Sequence, residues 1–211
     1  YGRESFREGP PLKLLVMSAT LDGEAVSRLL GDAPVITSSG RQYPVVTRYG
    51  EPHQLRNSII QPTVDTVLQA LHEQAGSILV FLPGQREISA VARGLTEALK
   101  ARGAGRVQIA PLYGGLSLER QQEALLPAPE GTRKIVLSTN VAETSLTIEG
   151  ITVVVDSGLV REAIFDPPTG LTRLSTRRIS RASAEQRQGR AGRQAPGYCY
   201  RLWTEEQQDR L

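Results

Sequence analysis

Cysteine is nearly absent from this chain of 211 residues, and its scarcity excludes two kinds of stabilising site. Because Cys199 is the only cysteine, no disulfide can form within the chain and no set of thiolates can bind zinc. Cys199 lies in an apolar segment, residues 198–203, where we expect an inert thiol in a strand. Histidine is equally scarce. His53 and His72 match no metal-binding pattern, so we expect both on the surface and no metal site.

Long apolar runs are also lacking. No segment approaches the roughly 20 residues that a helix needs to cross a bilayer, and the N-terminal residues lack the apolar core of a signal peptide. We therefore expect a cytoplasmic protein without a membrane partner. The composition predicts no disorder, because 39% hydrophobic and 22% charged residues are typical of a globular protein.

Lysine is rare, and arginine supplies nearly all of the positive charge. Lys13, Lys100 and Lys134 are the only lysines among 25 basic residues. The net charge of +3 is too small to indicate a nucleic-acid partner by itself. The arginine bias and its concentration after Arg161 are more suggestive, because guanidinium groups bind phosphate with a planar fork of donors.

Two catalytic motifs are missing as well. The chain has no Gly-Lys dipeptide and therefore no Walker A phosphate-binding loop. It also has no Asp-Glu pair to hold Mg²⁺ and orient water. We expect that this chain alone does not hydrolyse a nucleoside triphosphate.

The apolar residues that are present follow an alternating pattern of strands and helices. Short apolar runs at 78–82, 107–112, 134–137 and 153–155 predict buried strands, and the stretches between them predict amphipathic helices. This alternation predicts an α/β fold with a mostly parallel sheet between two helical layers. Two further runs flank the turn residues 166–170 and predict an antiparallel hairpin over residues 159–175. Capping boxes at Ser183 with Gln186 and at Thr204 with Gln207 predict where the last two helices begin.

Composition divides the chain into three parts. Residues 1–37 hold two short strands and one helix, too little to bury their own faces, and we expect them to be the tail of a domain whose beginning is missing. Residues 38–47 predict a linker. Residues 48–211 predict a complete second domain.

The segment 186–193 carries the strongest chemical signal. If it is helical, Gln186, Arg190 and Arg193 project from one face, and Gly189 and Gly192 leave gaps beside them. Each glycine costs about 1 kcal/mol relative to alanine inside a helix, so something other than helix stability favours them. We interpret this pattern as a phosphate-binding site rather than a solvated basic helix end.

A second polar segment, residues 138–148, directly follows a buried strand. Ligands of open α/β sheets bind at the carboxyl ends of the strands, where this segment should emerge. Its hydroxyl, amide and backbone N–H groups suit phosphate oxygens without selecting a base. An ordinary loop rich in serine and threonine is the alternative.

Together these segments resemble the superfamily 2 helicases of the DEAH type, and most closely the bacterial HrpB-like ATP-dependent helicases. The resemblance runs from about Leu12 to the C-terminus. Its motifs are III at 15–22, IV at 78–84, V at 138–148 and VI at 186–193, with a further family segment at 111–117. It implies a RecA-like three-layer fold, an ATP cofactor with Mg²⁺, and a single-stranded nucleic acid, RNA in particular, as partner.

The resemblance also implies roles for individual residues. Arg190 and Arg193 match arginine fingers, with Gln186 on the γ-phosphate side, and these three match the ATP-binding residues of the second RecA-like domain. Ser18, Ala19 and Thr20 match a motif that couples hydrolysis to strand separation, and residues 159–175 match the hairpin that parts the duplex. The positions that match nucleic-acid contacts are Thr139, Asn140, Ser145, Thr147, Gly84, Gln85 and Arg86.

The chain departs from the family at one position. Several relatives place an aromatic residue near position 125 to stack on the nucleotide base, whereas this chain has Leu125. Base stacking is therefore expected to be weaker or supplied elsewhere.

With the Walker A loop and the Asp-Glu pair missing, ATP and Mg²⁺ are expected to be held mainly by the first RecA-like domain, a partner within the same protein. Arg190 and Arg193 are then expected to be exposed or paired with carboxylates such as Glu143. A non-catalytic nucleic-acid-binding or scaffolding module is the alternative. A nucleotide-binding oxidoreductase is disfavoured because Gly103 and Gly105 do not continue as GxGxxG.

Overall fold

The computed structural model of the chain describes residues 13–17, 23–36, 43–103, 105–143, 148–167 and 170–211. The chain divides into two units, Tyr1–Gly40 and Arg41–Leu211. Within the described part of the first unit, helix α1 spans Gly23–Leu29 and no residue is buried. Leu15, Met17 and Ile36 there expose 80%, 81% and 93% of their surface, so these residues form no core of their own.

The second unit is built on a parallel sheet, as the alternating pattern predicts. Its six strands lie in the order β1-β8-β5-β2-β4-β3, and every neighbouring pair is parallel. The strands are β1 Val45–Tyr49, β2 Ser77–Phe81, β3 Val107–Leu112, β4 Arg133–Ser138, β5 Ile151–Asp156 and β8 Gly197–Arg201. Residues 45–47, which the predicted linker included, lie in β1.

Helices cover both faces of this sheet. Strand residues alternate between faces, so Ile78 and Val80 join one buried apolar cluster while Leu79 and Phe81 join another. Two apolar layers explain why residues 78–81 of β2 are all apolar, and they confirm the predicted three-layer α/β fold. The helices of this unit are α2 Ile60–Glu73, α3 Gln85–Ala101, α4 Leu118–Leu125, α5 Arg181–Gln188 and α6 Glu205–Asp209, with a 3₁₀ turn at Asn140–Ala142.

Residues between β5 and α5 form the predicted antiparallel hairpin. Strand β6 (Leu159–Asp166) pairs with β7 (Leu171–Arg178) as a separate two-stranded sheet, so the pairing extends three residues beyond the predicted end at 175. Phe165, Leu171 and Leu174 are 60–71% exposed towards its tip. The hairpin therefore presents apolar side chains to solvent instead of covering the core.

The rare lysine Lys134 stabilises the end of a helix. Its buried ammonium nitrogen donates to the carbonyls of Glu123, Ala124 and Leu126, at 2.9, 2.9 and 2.6 Å, where α4 ends. The last carbonyls of a helix lack partners within it, and a cation is also favoured by the helix dipole. Burial lowers the pKa of Lys134, so the three hydrogen bonds offset a desolvation cost.

We expect Lys134→Met to lower the free energy of unfolding by about 1–3 kcal/mol, because it removes the donor to three carbonyls, one of them on the buried Ala124. Urea denaturation of the chain measures this change. Lys100→Met, at an exposed position of α3, is the matched control and should change stability by less than about 0.5 kcal/mol. Equal losses in both variants would contradict the assignment.

Candidate functional site

The carboxyl edge of the central sheet brings together three segments that the sequence singles out. β2 ends just before Gly84, β4 ends just before Thr139, and β5 ends at Asp156. Since β5, β2 and β4 are neighbours in the sheet, these ends lie side by side. Open α/β sheets bind their ligands at this edge.

Thr139 and Asn140 begin the segment after β4. The Ser138 hydroxyl donates to the Leu112 carbonyl at 3.0 Å, and the Thr139 N–H donates to the same oxygen at 3.3 Å. Thr139 is half-buried, whereas Asn140 opens the 3₁₀ turn and is exposed. The backbone of the segment is thus held to β3 while its amide side chain remains in solvent. Ser145 and Thr147 lie outside the described residues.

Helix α5 carries the first part of the arginine motif, and its start differs from the prediction. The sequence favours a capping box opening at Ser183, but Ser180 is the N-cap and its hydroxyl accepts from the Ser183 N–H at 3.2 Å. Ile179 and Ala184 share a buried cluster, as in a hydrophobic staple across this cap. Packing of Ile179 therefore favours Ser180 over Ser183 as the N-cap. The Ser183 hydroxyl is then available for another partner.

The helix also ends earlier than the motif requires. α5 stops at Gln188, and the N–H groups of Arg190 and Ala191 make tighter i→i−3 bonds to Arg187 and Gln188. The predicted single helical face through Gln186, Arg190 and Arg193 is therefore wrong beyond Gln188. Arg193 is exposed, and a turn, not a helix, positions it relative to Arg190.

Arg187 is the central side chain of this edge, and the sequence analysis missed it. It is completely buried, and its guanidinium donates to Asp156 Oδ1 and Glu143 Oε1, both at 2.8 Å. It also packs on the Phe81 ring, with Cζ 4.9 Å from the centroid. The two carboxylates raise the pKa of Arg187 against the opposing effect of burial. One signal was present in the sequence: Asp156 closes an apolar strand, and a buried carboxylate needs a partner.

Glu143 joins the two predicted motifs. Its carboxylate accepts from the Arg187 guanidinium and from the Ser183 hydroxyl. Its backbone carbonyl accepts from Arg190 Nε at 3.1 Å and also from Arg190 Nη2. The segment after β4 is therefore bound through one residue to both α5 and the turn that follows it.

Arg190 is buried, with 5% of its surface exposed, so the expectation of an exposed side chain is wrong. Arg190 contacts the Glu143 backbone carbonyl, while the carboxylate of Glu143 accepts from Arg187 and raises the pKa of Arg190 electrostatically. Burial and the nearby charge of Arg193 lower the pKa of Arg190 to about 10. Arg190 thus keeps its charge at neutral pH, and a buried, charged guanidinium close to a second one is suited to a polyanion.

The two glycines of the motif have different explanations. A Cβ on Gly192 would lie 2.7 Å from Val45 Cγ2 and against the Tyr43 carbonyl, and the Tyr43 N–H donates to the Gly192 carbonyl at 2.9 Å. The gap at Gly192 is therefore filled by the chain itself, which corrects the expectation of a gap for a ligand. A Cβ on Gly189 would lie 3.4 Å from the carbonyl oxygens of Glu185 and Gln186, which is an ordinary contact distance. Packing therefore does not require a glycine at position 189.

Gly84, Gln85 and Arg86 lie where β2 leads into α3. Gly84 is the buried N-cap residue, and no side chain caps the helix there. Gln85 and Arg86 are exposed in the first turn. A helix start with free N–H groups, an amide and a guanidinium is compatible with a phosphate.

The remaining candidate residues are less informative. Leu125 is half-buried at the end of α4 and packs on the second apolar cluster, so the structure does not test its predicted position beside a nucleotide base. Ser18, Ala19 and Thr20 lie outside the described residues.

Of the predictions for the two histidines and the cysteine, one is wrong and two are confirmed. His72 is exposed on α2, as predicted. His53 is buried, contrary to its predicted surface position, and burial together with the charge of Arg178 lowers its pKa. Its carbonyl accepts from Gln207 Nε2 at 3.0 Å, which ties the segment before α2 to α6. Cys199 is buried, and burial with the charge of Asp156 raises the pKa of its thiol to about 12, so the predicted inert thiol is confirmed.

Across the described ranges, no group of three or more histidine, cysteine, aspartate or glutamate side chains could hold a metal ion. None of the helices in those ranges is long and apolar enough to cross a membrane.

Comparison with known proteins identifies the sequence family. The family described as the helicase conserved C-terminal domain matches residues 62–195. The ATP-dependent RNA helicase HrpB of Escherichia coli strain K12 is 50% identical over 199 residues, which cover 94% of this chain and 24% of that protein. The pre-mRNA-splicing factor ATP-dependent RNA helicase prp22 of Schizosaccharomyces pombe is 47% identical, covering 93% of this chain and 17% of that protein.

Solved structures agree with the sequence comparison. A crystal structure of the E. coli DExH-box NTPase HrpB matches 99% of this chain with a TM-score of 0.84 and 48% identity, and this covers 25% of that chain. A structure of the E. coli DEAH/RHA helicase HrpB gives a TM-score of 0.85 at 49% identity, covering 95% of this chain and 25% of that chain. The chain therefore spans about a quarter of the length of its HrpB relatives and has the RecA-like fold that the motifs imply.

Proposed function

This chain belongs to the helicase conserved C-terminal domain family, and on that premise we propose that it is the second motor domain of a DEAH-type ATP-dependent RNA helicase. The contact of Arg190 with the Glu143 carbonyl carries this proposal. Through this contact, the guanidinium that we propose to bind phosphate touches the segment that contains Thr139. A nucleotide site and a strand site that are joined through Glu143 would suit a motor in which each ligand affects the other.

The proposed nucleotide site uses Arg190, Arg193 and Gln186. When bound with Mg²⁺, ATP supplies the phosphoryl group that is transferred to water. Arg190 and Arg193 would donate to its phosphate oxygens and stabilise the charge that develops there, with Gln186 beside them. The charge of Arg190 at neutral pH and the exposure of Arg193 fit this role. We assign Mg²⁺ to the first RecA-like domain, and Leu125 remains the predicted position beside the base.

The proposed strand site lies along the same edge of the sheet. Thr139, Asn140, Ser145 and Thr147 would bind phosphate and sugar from one side, and residues 84–86 from the other. The hairpin would separate the strands of a duplex, and Ser18, Ala19 and Thr20 would couple hydrolysis to that step. RNA is the proposed substrate because the relatives are named RNA helicases.

The domain assignment follows from the same proposal. Residues 1–37 would be the end of the first RecA-like domain, 38–47 the linker and 48–211 the second domain. The first domain would be the partner that completes the ATP site, and the cytoplasm remains the predicted location. A non-catalytic nucleic-acid-binding module is the second candidate, and an upstream reading frame that lacks Gly-Lys-Thr and an Asp-Glu pair would support it.

ATPase assays of the full-length protein test the proposal. We expect single-stranded RNA to stimulate hydrolysis, with single-stranded DNA as the comparison. We also expect the apparent RNA affinity to fall steeply with salt, because contacts to phosphate release counterions. Hydrolysis that no nucleic acid changes would contradict the strand site, and absence of hydrolysis would favour the module.

A further inference from the structure

The root of the hairpin, where β6 begins at Leu159 and β7 ends at Arg178, has no strand pairing with the central sheet among the described residues. Within those residues β6 and β7 pair with each other alone, so side chains near Leu159 and Arg178 determine how the hairpin is oriented. An isolated two-stranded hairpin is at best marginally stable in water. Its direction therefore depends on contacts at the root.

Two of these contacts hold the end of the root next to β5. Arg187 Nη1 donates to the Leu159 carbonyl at 3.3 Å, and the Ile179 N–H donates to the Gly158 carbonyl at 3.0 Å. Val160 and Ile179 share a buried cluster with Trp203. These contacts fix the point from which the hairpin leaves the sheet. Arg178 of β7 donates to the His53 carbonyl, and a second charged contact of the hairpin lies on β6.

Arg161 is the next charged side chain along β6, and it reaches the helix at the proposed strand site. Its Nη2 is 2.9 Å from Glu87 Oε1 in the first turn of α3. The same nitrogen is 3.5 Å from the hydroxyl of Thr176, which pairs with Arg161 across the hairpin. One guanidinium thus connects both hairpin strands to the helix that begins after Gly84. Both partners are largely shielded, with side chains 27% and 20% exposed.

Gly84 shows how closely Arg161 packs there. A Cβ at this position would overlap Arg161 Nη1 and lie 3.1 Å from its Cζ. The backbone of Gly84 is extended, with φ of −171°, so its conformation does not require glycine. A side chain at position 84 would therefore require the Arg161 guanidinium to shift.

We propose that the Arg161–Glu87 ion pair holds the hairpin at a fixed angle to residues 84–86, and that Arg161 is a positioning residue for strand separation. This inference rests on the proposed function, in which residues 84–86 bind the strand and the hairpin parts the duplex. The pair keeps the distance between the bound backbone and the point of separation constant. Without it, hydrolysis continues while the hairpin meets the duplex at variable angles.

The test compares unwinding with hydrolysis in the full-length protein. For Arg161→Ala, we expect the amount of RNA duplex separated per ATP hydrolysed to fall about tenfold. This is the size of effect that single residues have on the energetic coupling between two sites. The double variant Arg161→Glu with Glu87→Arg restores the pair in reverse and should recover most of that ratio. Arg177→Ala is the matched control, because Arg177 is exposed on the neighbouring position of β7 and also removes one positive charge.

Removal of residues 163–174 separates failure of the inference from failure of the proposed function. If the shortened hairpin unwinds normally, the proposed role of the hairpin is wrong. If shortening abolishes unwinding but Arg161→Ala keeps the normal ratio, the hairpin acts without this ion pair and the inference is overturned. A purely structural role would lower the melting temperature and leave the ratio at its wild-type value, which would also overturn it.

Discussion

Replacing Arg190 with methionine in the full-length protein is expected to reduce ATP hydrolysis by about 10³-fold, the lower end of the effect of an arginine finger. The stability of the protein should change much less, because loss of the bonds to the Glu143 carbonyl is offset by removal of an unfavourably buried charge. The pKa of Arg190 is about 10 instead of its ordinary 12.5, so the folded state binds this proton less tightly than the unfolded state does. Its charge therefore costs folding free energy at every pH below about 10, and the cost disappears as the pH rises towards 12.5.

Methionine removes that charge while filling similar space. Steady-state ATPase assays and thermal unfolding of the same preparations measure the two effects, and Arg102→Met, at an exposed position of α3's C-cap, is the control. A protein that lost activity and stability together would indicate that Arg190 is a structural residue. Unchanged hydrolysis would remove Arg190 from the nucleotide site.

Replacing Arg187 with methionine should have the largest effect on stability. We expect a loss of about 3–5 kcal/mol in the free energy of unfolding, because the completely buried Asp156 is left without its cation. The hydrogen bond that Asp156 Oδ1 accepts from the Gly158 N–H, at 2.9 Å, does not replace that charge. Glu143 would lose its ion pair as well, so the Arg190 contact should loosen. Urea denaturation of the chain measures the change in stability.

A second replacement shows whether the stranded charge is the cause. Adding Asp156→Asn to Arg187→Met should recover part of the loss, since the amide carries no charge. Arg48→Met is the control, because Arg48 pairs with Glu73 in a solvent-accessible position and such pairs contribute about 1 kcal/mol or less. A similar loss for Arg48→Met and Arg187→Met would show that burial of the Arg187 cluster is unimportant.

The stability and the proposed chemistry of this edge depend on different arginines. Arg187 is held by two carboxylates and a ring, and its charge is balanced where it lies. Arg190 contacts the Glu143 carbonyl, and burial with the charge of Arg193 lowers its pKa to about 10. A charge that costs folding free energy is consistent with the functional role that we propose for Arg190.

Local patterns were sufficient to predict the elements. The apolar run 78–82 predicts β2, whose residues are all buried in the structure. The capping box of Thr204 and Gln207 correctly predicts the start of α6. The hairpin follows from two short runs around turn residues, although its last three residues do not appear in the pattern. Each of these signals lies within a few residues of the element it defines.

The errors share one physical cause. The start of α5 depends on Ile179 packing in the core, and the reason for Gly192 is the carbonyl of Tyr43. Burial of His53 likewise depends on contacts with α6 and the hairpin. A local sequence rule cannot choose between Ser180 and Ser183 as the N-cap, because a contact with a distant element decides. For the same reason it cannot predict whether a ligand or the chain itself fills the space beside Gly192.

The sequence by itself determined the family, the order of the elements and the two segments that we propose to bind phosphate, because motifs and periodicity are read from neighbouring residues. Only the tertiary structure decided how those segments meet. Arg187 reaches Asp156 and Glu143 across 31 and 44 residues, and Arg190 reaches Glu143 across 47. Buried charges are paired only after the sheet has formed and brought distant residues together. The role of Glu143 in joining the two motifs can therefore be recognised only from the tertiary structure.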